Sequence, residues 1–226
     1  MRKRSVVLVV VGIVALGFVA GVALASCGGS ATPTTSTAGP TTSQQSGTTL
    51  APSTTTLADI LPAVSTVRYE NQKFGFSMGR PASSPVETQG FEAYLPLTQT
   101  SVVGFTLTPE IFQGTNLLDA GVYVGASSDA TVVEKWNQPV ADSGEKSAGT
   151  VEINGVSFAV FTSDEAAAGN IYEAKIYRTL HDGTCFEIVE LLHSGNIGNY
   201  DEGTVVEFDK AEMEGYLEAM VKTFAF

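Results

Sequence analysis

Hydrophobic and polar positions divide this chain into three regimes. Arg2, Lys3 and Arg4 precede a run from Ser5 to Ala25 that is almost wholly apolar or small. Gly28 to about Ala58 is built from Thr, Ser, Pro, Gly, Ala and Gln, carries no charge, and has only Leu50 and Leu57 as larger apolar residues. From near Thr66 the pattern becomes one of alternation. Val67-Arg68-Tyr69-Glu70 and Phe74-Gly75-Phe76-Ser77-Met78 have a period of two, with Asn71-Gln72 between them, and predict a first hairpin ended by Pro81 and Pro85. Further strands are predicted at Phe91–Leu95, at Val102–Thr108 up to Pro109, and at Gly121–Ala126 around Val122 and Val124. Ser128 is placed to cap a short helix whose Val132, Val133 and Trp136 share a face before Pro139. Val140 to Thr150 lacks apolar periodicity and reads as an exposed loop.

The second half is more legible. Asn154-Gly155, between Val151-Glu152-Ile153 and Val156-Ser157-Phe158, is a strong two-residue hairpin signal. Asp182-Gly183 is another. If these two residues form the loop, His181 faces Thr184, Arg178 faces Glu187, and Lys175 faces Glu190. Each such opposite-charge pair contributes about 0.2–1 kcal/mol at a strand surface. The same register puts Tyr172, Ala174, Ile176, Leu180, Cys185, Val189 and Leu191 on one face, read as the core face. Asp209 and Glu212 have capping-box spacing, with Asp in place of Ser or Thr. Met213, Tyr216, Leu217, Met220, Val221 and Phe224 then fall on one helical stripe, and Glu218 and Lys222 pair on the other side. Many strands joined by short turns, a C-terminal amphipathic helix and a second short helix predict an antiparallel α+β domain.

The first regime has the layout of a secretory signal: a positive start, an apolar run, then small residues. Its end, Leu24-Ala25-Ser26-Cys27, resembles the lipobox of bacterial lipoproteins. That resemblance implies cleavage before Cys27 and acylation of its thiol and new amino group. Acyl chains gain about 0.8 kcal/mol per buried methylene, so more than one chain holds firmly to a bilayer. The expected organisation is therefore a signal peptide over 1–26, a lipidated Cys27 with a disordered linker over 27–58, and a single globular domain over 59–226. A linker of about 30 flexible residues reaches on the order of 30 Å. Its Thr-rich runs, such as Thr34-Thr35-Ser36-Thr37, offer sites for O-linked sugars, though a plain spacer explains them.

Charge narrows the partners. The chain has 12 Lys and Arg against 24 Asp and Glu; without Arg2, Lys3 and Arg4 the balance is 9 against 24, a net of −15. Such a domain is repelled by nucleic acid and by anionic lipid, so its membrane contact is expected through the lipid alone. With Cys27 committed to lipid, Cys185 has no intrachain disulfide partner, and about 160 residues must stand on a hydrophobic core.

Tyr69-Glu70-Asn71, Gly75-Phe76-Ser77-Met78 and Pro81 resemble the opening of bacterial lipoproteins of the PsbP/Mog1-like superfamily. The usual following Trp is absent, and Met78 stands where that pattern has a second Phe. The resemblance implies an antiparallel sheet with flanking helices and a binding or assembly role. It transfers no functional residue, because the opening motif is a core signature.

No catalytic constellation emerges. In the Asp182-Gly183 register His181 faces away from Cys185, and His193 lies roughly 26 Å along the strand from it. There is no His-Glu-x-x-His, no Cys-x-x-Cys and no Gly-rich phosphate loop, so no cofactor is expected. Ser163, Asp164-Glu165, the three alanines and Gly169 read as one capped helical turn. Asn199 to Gly203 offers oxygens for Ca²⁺ without EF-hand spacing. Phe91, Tyr94, Tyr123, Trp136, Tyr172, Tyr177 and Tyr200 are candidates for a ligand groove, although core packing accounts for most of them. Trp136 and Tyr200 are the least settled, and Tyr200 sits in a polar loop. The expectation is a non-catalytic binding or scaffolding lipoprotein facing another envelope component. The alternatives are a carboxylate-dependent hydrolase of envelope material and a small-ligand or Ca²⁺-binding lipoprotein.

Overall fold

The structure, a computed structural model, describes residues 66–226. The signal and linker positions, with Leu24, Ala25, Ser26 and Cys27, lie outside the described residues. The fold is α+β. Strands β1 (Thr66–Asn71) and β2 (Phe76–Pro81) form a separate hairpin. Strands β3 (Val86–Glu87), β4 (Ser101–Thr106), β5 (Leu117–Ser127), β6 (Lys146–Ile153), β7 (Val156–Ala167), β8 (Asn170–His181) and β9 (Thr184–Gly195) form one antiparallel sheet in the order β3-β4-β5-β9-β8-β7-β6. Two α-helices accompany them, α1 (Ala130–Lys135) and α2 (Lys210–Val221).

Turn chemistry sets the register. Asn154-Gly155 and Asp182-Gly183 both sit at positive φ, as a type I′ hairpin requires. The second places His181 opposite Thr184, Arg178 opposite Glu187 and Lys175 opposite Glu190, as the sequence predicts. Ala168-Gly169 makes a third such turn, at φ 52° and 83°. Here the structure departs from expectation: Ser163 to Ala167 continue β7, paired residue for residue with β8, and form no helical turn. The first hairpin closes through Gln72–Gly75, because Asn71 bonds forward to the Phe74 and Gly75 N–H groups at 3.1 and 2.8 Å.

Three other expectations are corrected. Phe91–Leu95 is a single 3-10 turn rather than a strand; Phe91 and Leu95 are buried four residues apart, a helical spacing. Asp129, not Ser128, caps α1, accepting the Thr131 N–H at 2.8 Å. Strand β6 begins at Lys146, inside the stretch read as a loop, and Glu145 beside it is a buried ion-pair partner. As an edge strand exposed at every residue but Ile153, β6 has no apolar alternation to reveal it.

Both faces of the sheet carry a buried cluster, which corrects the choice of core face. The larger core lies on the other side, where Phe158, Val160, Tyr177, Phe186, Ile188 and Leu192 meet the β1–β2 hairpin and α2. Asp209 caps α2 by accepting the Glu212 N–H at 3.0 Å, and Met213, Leu217, Met220 and Val221 are its buried stripe. Each such burial contributes about 1.5–3 kcal/mol. Phe224 follows the helix, stacks on Phe76 at 5.1 Å, and leads into a bridge between Ala225 and Ser77. The face expected as core holds a smaller cluster, Phe91, Leu95, Tyr123, Phe161, Ile176, Val189 and Leu191, and Leu180 at its end is 37% exposed. That face is only partly roofed.

Candidate functional site

The partly roofed face is built in cross-strand rows. One row runs Glu165, Tyr172, His193, Asp119 across β7, β8, β9 and β5. The next holds Ser163, Ala174, Leu191 and Gly121, and the third Phe161, Ile176, Val189 and Tyr123. The fourth holds Ala159, Arg178, Glu187 and Gly125. Over the middle rows lies an open groove of about 420 Å³. Its floor is Tyr172, Ala174, Ile176, Val189 and Leu191; Ala93, Tyr94 and Pro96 form one wall, and Ser143, Ser163 and Glu165 the other. Apolar floor and polar margin are the usual composition of a small-molecule site.

Both walls are pinned at the fourth row. Arg178 and Glu187 are fully buried there. Arg178 Nε donates to Glu187 Oε1 at 2.8 Å, while its terminal nitrogens donate to both oxygens of Glu145 and, at 3.1 Å, to the Gln138 carbonyl. Glu187 also accepts from the Leu97 and Thr98 N–H groups and from the Thr98 hydroxyl, the last two at 2.9 Å. Glu145 accepts the Val140 N–H at 2.9 Å. One guanidinium thus ties the 95–98 segment and the 138–145 segment to the sheet. Gly125 makes room for this: a Cβ there would collide with Thr98 Oγ1 and come within 2.9 Å of Leu95 Cδ1.

At and past the opposite end of the groove, the first row and the residues packed beside it are aromatic and acidic. Tyr94 packs on Tyr123 at 5.0 Å between ring centroids, and Tyr172 stacks on His193 at 4.2 Å. His193 Nε2 lies 2.9 Å from Asn170 Oδ1. Burial pushes the half-buried Asp119 carboxyl above its ordinary range and Glu87 adds to this, while the Ala120 backbone and His193 act the other way. The Tyr94 phenol is raised by burial and then by the Asp119, Tyr172 and Glu87 charges.

A second cleft, of about 260 Å³, lies on the other face between α2 and strands β7–β9. Glu190 sits at its base, 3% exposed, with its carboxyl pushed up to about 7, chiefly by burial. The Tyr177 hydroxyl donates to it at 2.8 Å. Lys175, its cross-strand neighbour, pairs with Glu218 at 3.3 Å.

The residues singled out in the sequence separate. Cys185 is fully buried, and burial pushes its thiol up to about 12. His181 stacks on Phe226 and His193 on Tyr172, so no Cys–His pair forms. Trp136 packs against the smaller core cluster. Tyr200 folds its ring over Gly195 and is half-buried. In the turn beyond it, Thr204 bonds twice to the Asp201 carbonyl. Tyr94 and Tyr172 do line the groove, and Tyr123 is buried against Tyr94. Asp119 drew no notice in the sequence and Glu145 falls in the stretch read as an exposed loop, yet a signal for the clasp existed. The predicted register put Arg178 and Glu187 on the same face as Ile176 and Val189, which already marks a buried pair.

No protein-family model matches the chain, and no curated protein matches it. Solved structures that resemble it include a protein of Bacteroides thetaiotaomicron VPI-5482, with a TM-score of 0.36 and 13% identity over 70% of this chain. The chain spans 47% of that protein's length. They also include LpqN, described as involved in cell envelope biogenesis of Mycobacterium tuberculosis, with a TM-score of 0.38 and 10% identity over 75% of this chain and 96% of that one.

Proposed function

We propose that this chain is a lipid-anchored extracytoplasmic binding protein whose sheet groove takes the apolar part of a small envelope component. Cys27 carries the anchor, residues 27–58 form the tether, and the domain acts without catalysis. The observation that supports the binding reading is the open groove itself, with an apolar floor and two walls held by a buried ion cluster. Fixed walls mean that a ligand meets a preformed site and loses less free energy to ordering. The hydrolase reading has less behind it. Glu190, the carboxyl held near 7, is buried at the base of the second cleft, and Asp119, also raised by burial, is not among the residues that line the groove.

Two measurements test the proposal. Cys27→Ala should abolish incorporation of labelled fatty acid; continued labelling refutes the anchor. The groove is tested on the chain from residue 27 carrying Cys27→Ser, which keeps every described strand and helix. A neutral fluorescent probe, N-phenyl-1-naphthylamine, should bind it, and Ala174→Trp, which fills the floor, should weaken binding at least about tenfold at unchanged melting temperature. Equal binding by the two proteins would place the site elsewhere.

A further inference from the structure

The groove is closed at one end and open at the other. Over the fourth row its two walls meet. The Leu97 and Thr98 N–H groups donate to Glu187, while Arg178 donates to Gln138, Glu145 and Glu187, and both members of the row are fully buried. At the first row Glu165 is exposed and Tyr172 only half-buried. From Tyr172 to Ile176 the floor runs four residues along β8, roughly 13 Å. A ligand therefore lies with one end against Ile176, Val189 and Pro96, all apolar, and the other in water.

The walls differ in chemistry. Ala93, Tyr94 and Pro96 offer mostly apolar surface, whereas the facing wall offers hydrogen-bond acceptors. A serine hydroxyl has one proton, and here both are committed. Ser163 donates to the Ser143 carbonyl at 2.9 Å, and Ser143 to the Val140 carbonyl at 2.9 Å. Toward a ligand, each oxygen can then only accept. Glu165 lies two residues beyond Ser163 on the same face of β7, about 7 Å along the strand, and adds a carboxylate. Lys146, on the neighbouring strand, pairs with Asp164 at 3.8 Å and not with Glu165. Acceptors spaced along one edge match a head carrying several O–H groups; a single point charge would meet one of them. An anionic head is repelled, because the chain beyond Arg4 has 9 Lys and Arg against 24 Asp and Glu. The exposure of Glu165 leaves its pull on a cation screened by salt.

We infer that the groove takes an amphiphile tail-first, and that the wall of Ser143, Ser163 and Glu165 recognises an uncharged head through the hydroxyl protons it donates. This rests on the reading of the groove as a ligand site and adds a head-group requirement that the apolar floor does not impose.

The test uses n-decyl β-D-maltoside and its fully O-methylated ether, which keeps the tail and has no O–H. Each is titrated calorimetrically, below its micelle-forming concentration, into the chain from residue 27 with Cys27→Ser. The free maltoside should bind about tenfold tighter than the ether. Glu165→Ala, at an exposed position, should reduce that preference at least about threefold, and adding Ser163→Ala should erase most of it, while the ether binds as before. Decyltrimethylammonium, cationic but without a donor, should bind no tighter than the ether. Across maltosides from hexyl to dodecyl, affinity should rise about fourfold per methylene and level off at about ten carbons, where the tail fills the floor. Equal binding of maltoside and ether, or a preference unchanged by Glu165→Ala, overturns the hydroxyl assignment and leaves the groove standing. Tighter binding of the ammonium also overturns it, since charge would then explain recognition. Affinity that keeps climbing through dodecyl overturns the tail-first orientation. Failure of every probe to bind overturns the groove reading and this inference with it.

Discussion

Glu190→Gln should make the protein more stable at pH 8 and change it little at pH 5. The Glu190 carboxyl is raised from an ordinary 4.5 to about 7, first by burial and then by Glu218 and Glu214 on α2. The Tyr177 hydroxyl and Lys175 on β8 pull in the opposite direction without prevailing. A carboxyl whose folded value is raised binds its proton more tightly when folded. Its contribution to stability is complete below about 4.5 and is lost as pH rises through 7. The interval from 4.5 to about 7, at about 1.4 kcal/mol per pH unit, is worth about 3 kcal/mol. Glutamine has nearly the same shape and keeps an oxygen to accept the Tyr177 hydroxyl, but it never ionises. Urea unfolding of both proteins at several pH values from 5 to 8 measures the difference. The gap should open by about 2–3 kcal/mol across that range in favour of the variant. A gap that stays constant with pH would show that Glu190 ionises without penalty, and the burial argument would fall.

Two further stability predictions follow from the buried clasp and the third hairpin. Arg178→Met should cost about 3–5 kcal/mol, because it strands Glu145 and Glu187 without a cation in a buried site. Adding Glu145→Gln and Glu187→Gln should recover part of that loss in urea unfolding; a single-variant cost below about 1 kcal/mol would contradict the pairing. Ala168→Asn should stabilise by about 0.5–1 kcal/mol, since Ala168 holds a left-handed conformation that Asn adopts more readily. Thermal unfolding checks it, and a lower melting temperature would count against the turn geometry.

Legibility in the sequence followed from how local each determinant is. Asn154-Gly155 and Asp182-Gly183 carry their turn in their own backbone preferences, so two hairpins and a full twelve-residue pairing of β8 with β9 were readable. Ala166-Ala167-Ala168 prefers helix in isolation, but nine paired positions with β8 override that preference. Arg178 and Glu187 were placed opposite each other correctly and on the face read as core, yet the partners that surround them were not readable. Glu145, Leu97 and Thr98 arrive from distant segments and turn a surface pair into a buried cluster. For that reason simple charge reversal between positions 178 and 187 would not restore stability. The reversed pair would meet Glu145 with a carboxylate and the Leu97 and Thr98 N–H groups with a guanidinium. The groove is less local still. It exists because the short α1 and the 3-10 turn at Glu92–Tyr94 roof only part of the sheet, and no spacing along the chain encodes an uncovered area.

The connectivity of the sheet has a consequence for how the chain acquires its site. Strands β6 to β9 are consecutive and joined by two-residue turns, so this ribbon forms from contacts between near neighbours in sequence. Such local pairing is quick, whereas β5 must find β9 across the whole ribbon. Glu187 lies on β9, the last strand in chain order. Until it is in place, Leu97 and Thr98 have no acceptor, and the 95–98 wall of the groove has no anchor. The groove is thus the final part to be assembled, although the 95–98 and 138–145 segments of its walls precede strands β6 to β9 in the chain. The Arg178 cluster acts as a completion check: a chain truncated before β9 keeps its hairpin signals but presents no groove.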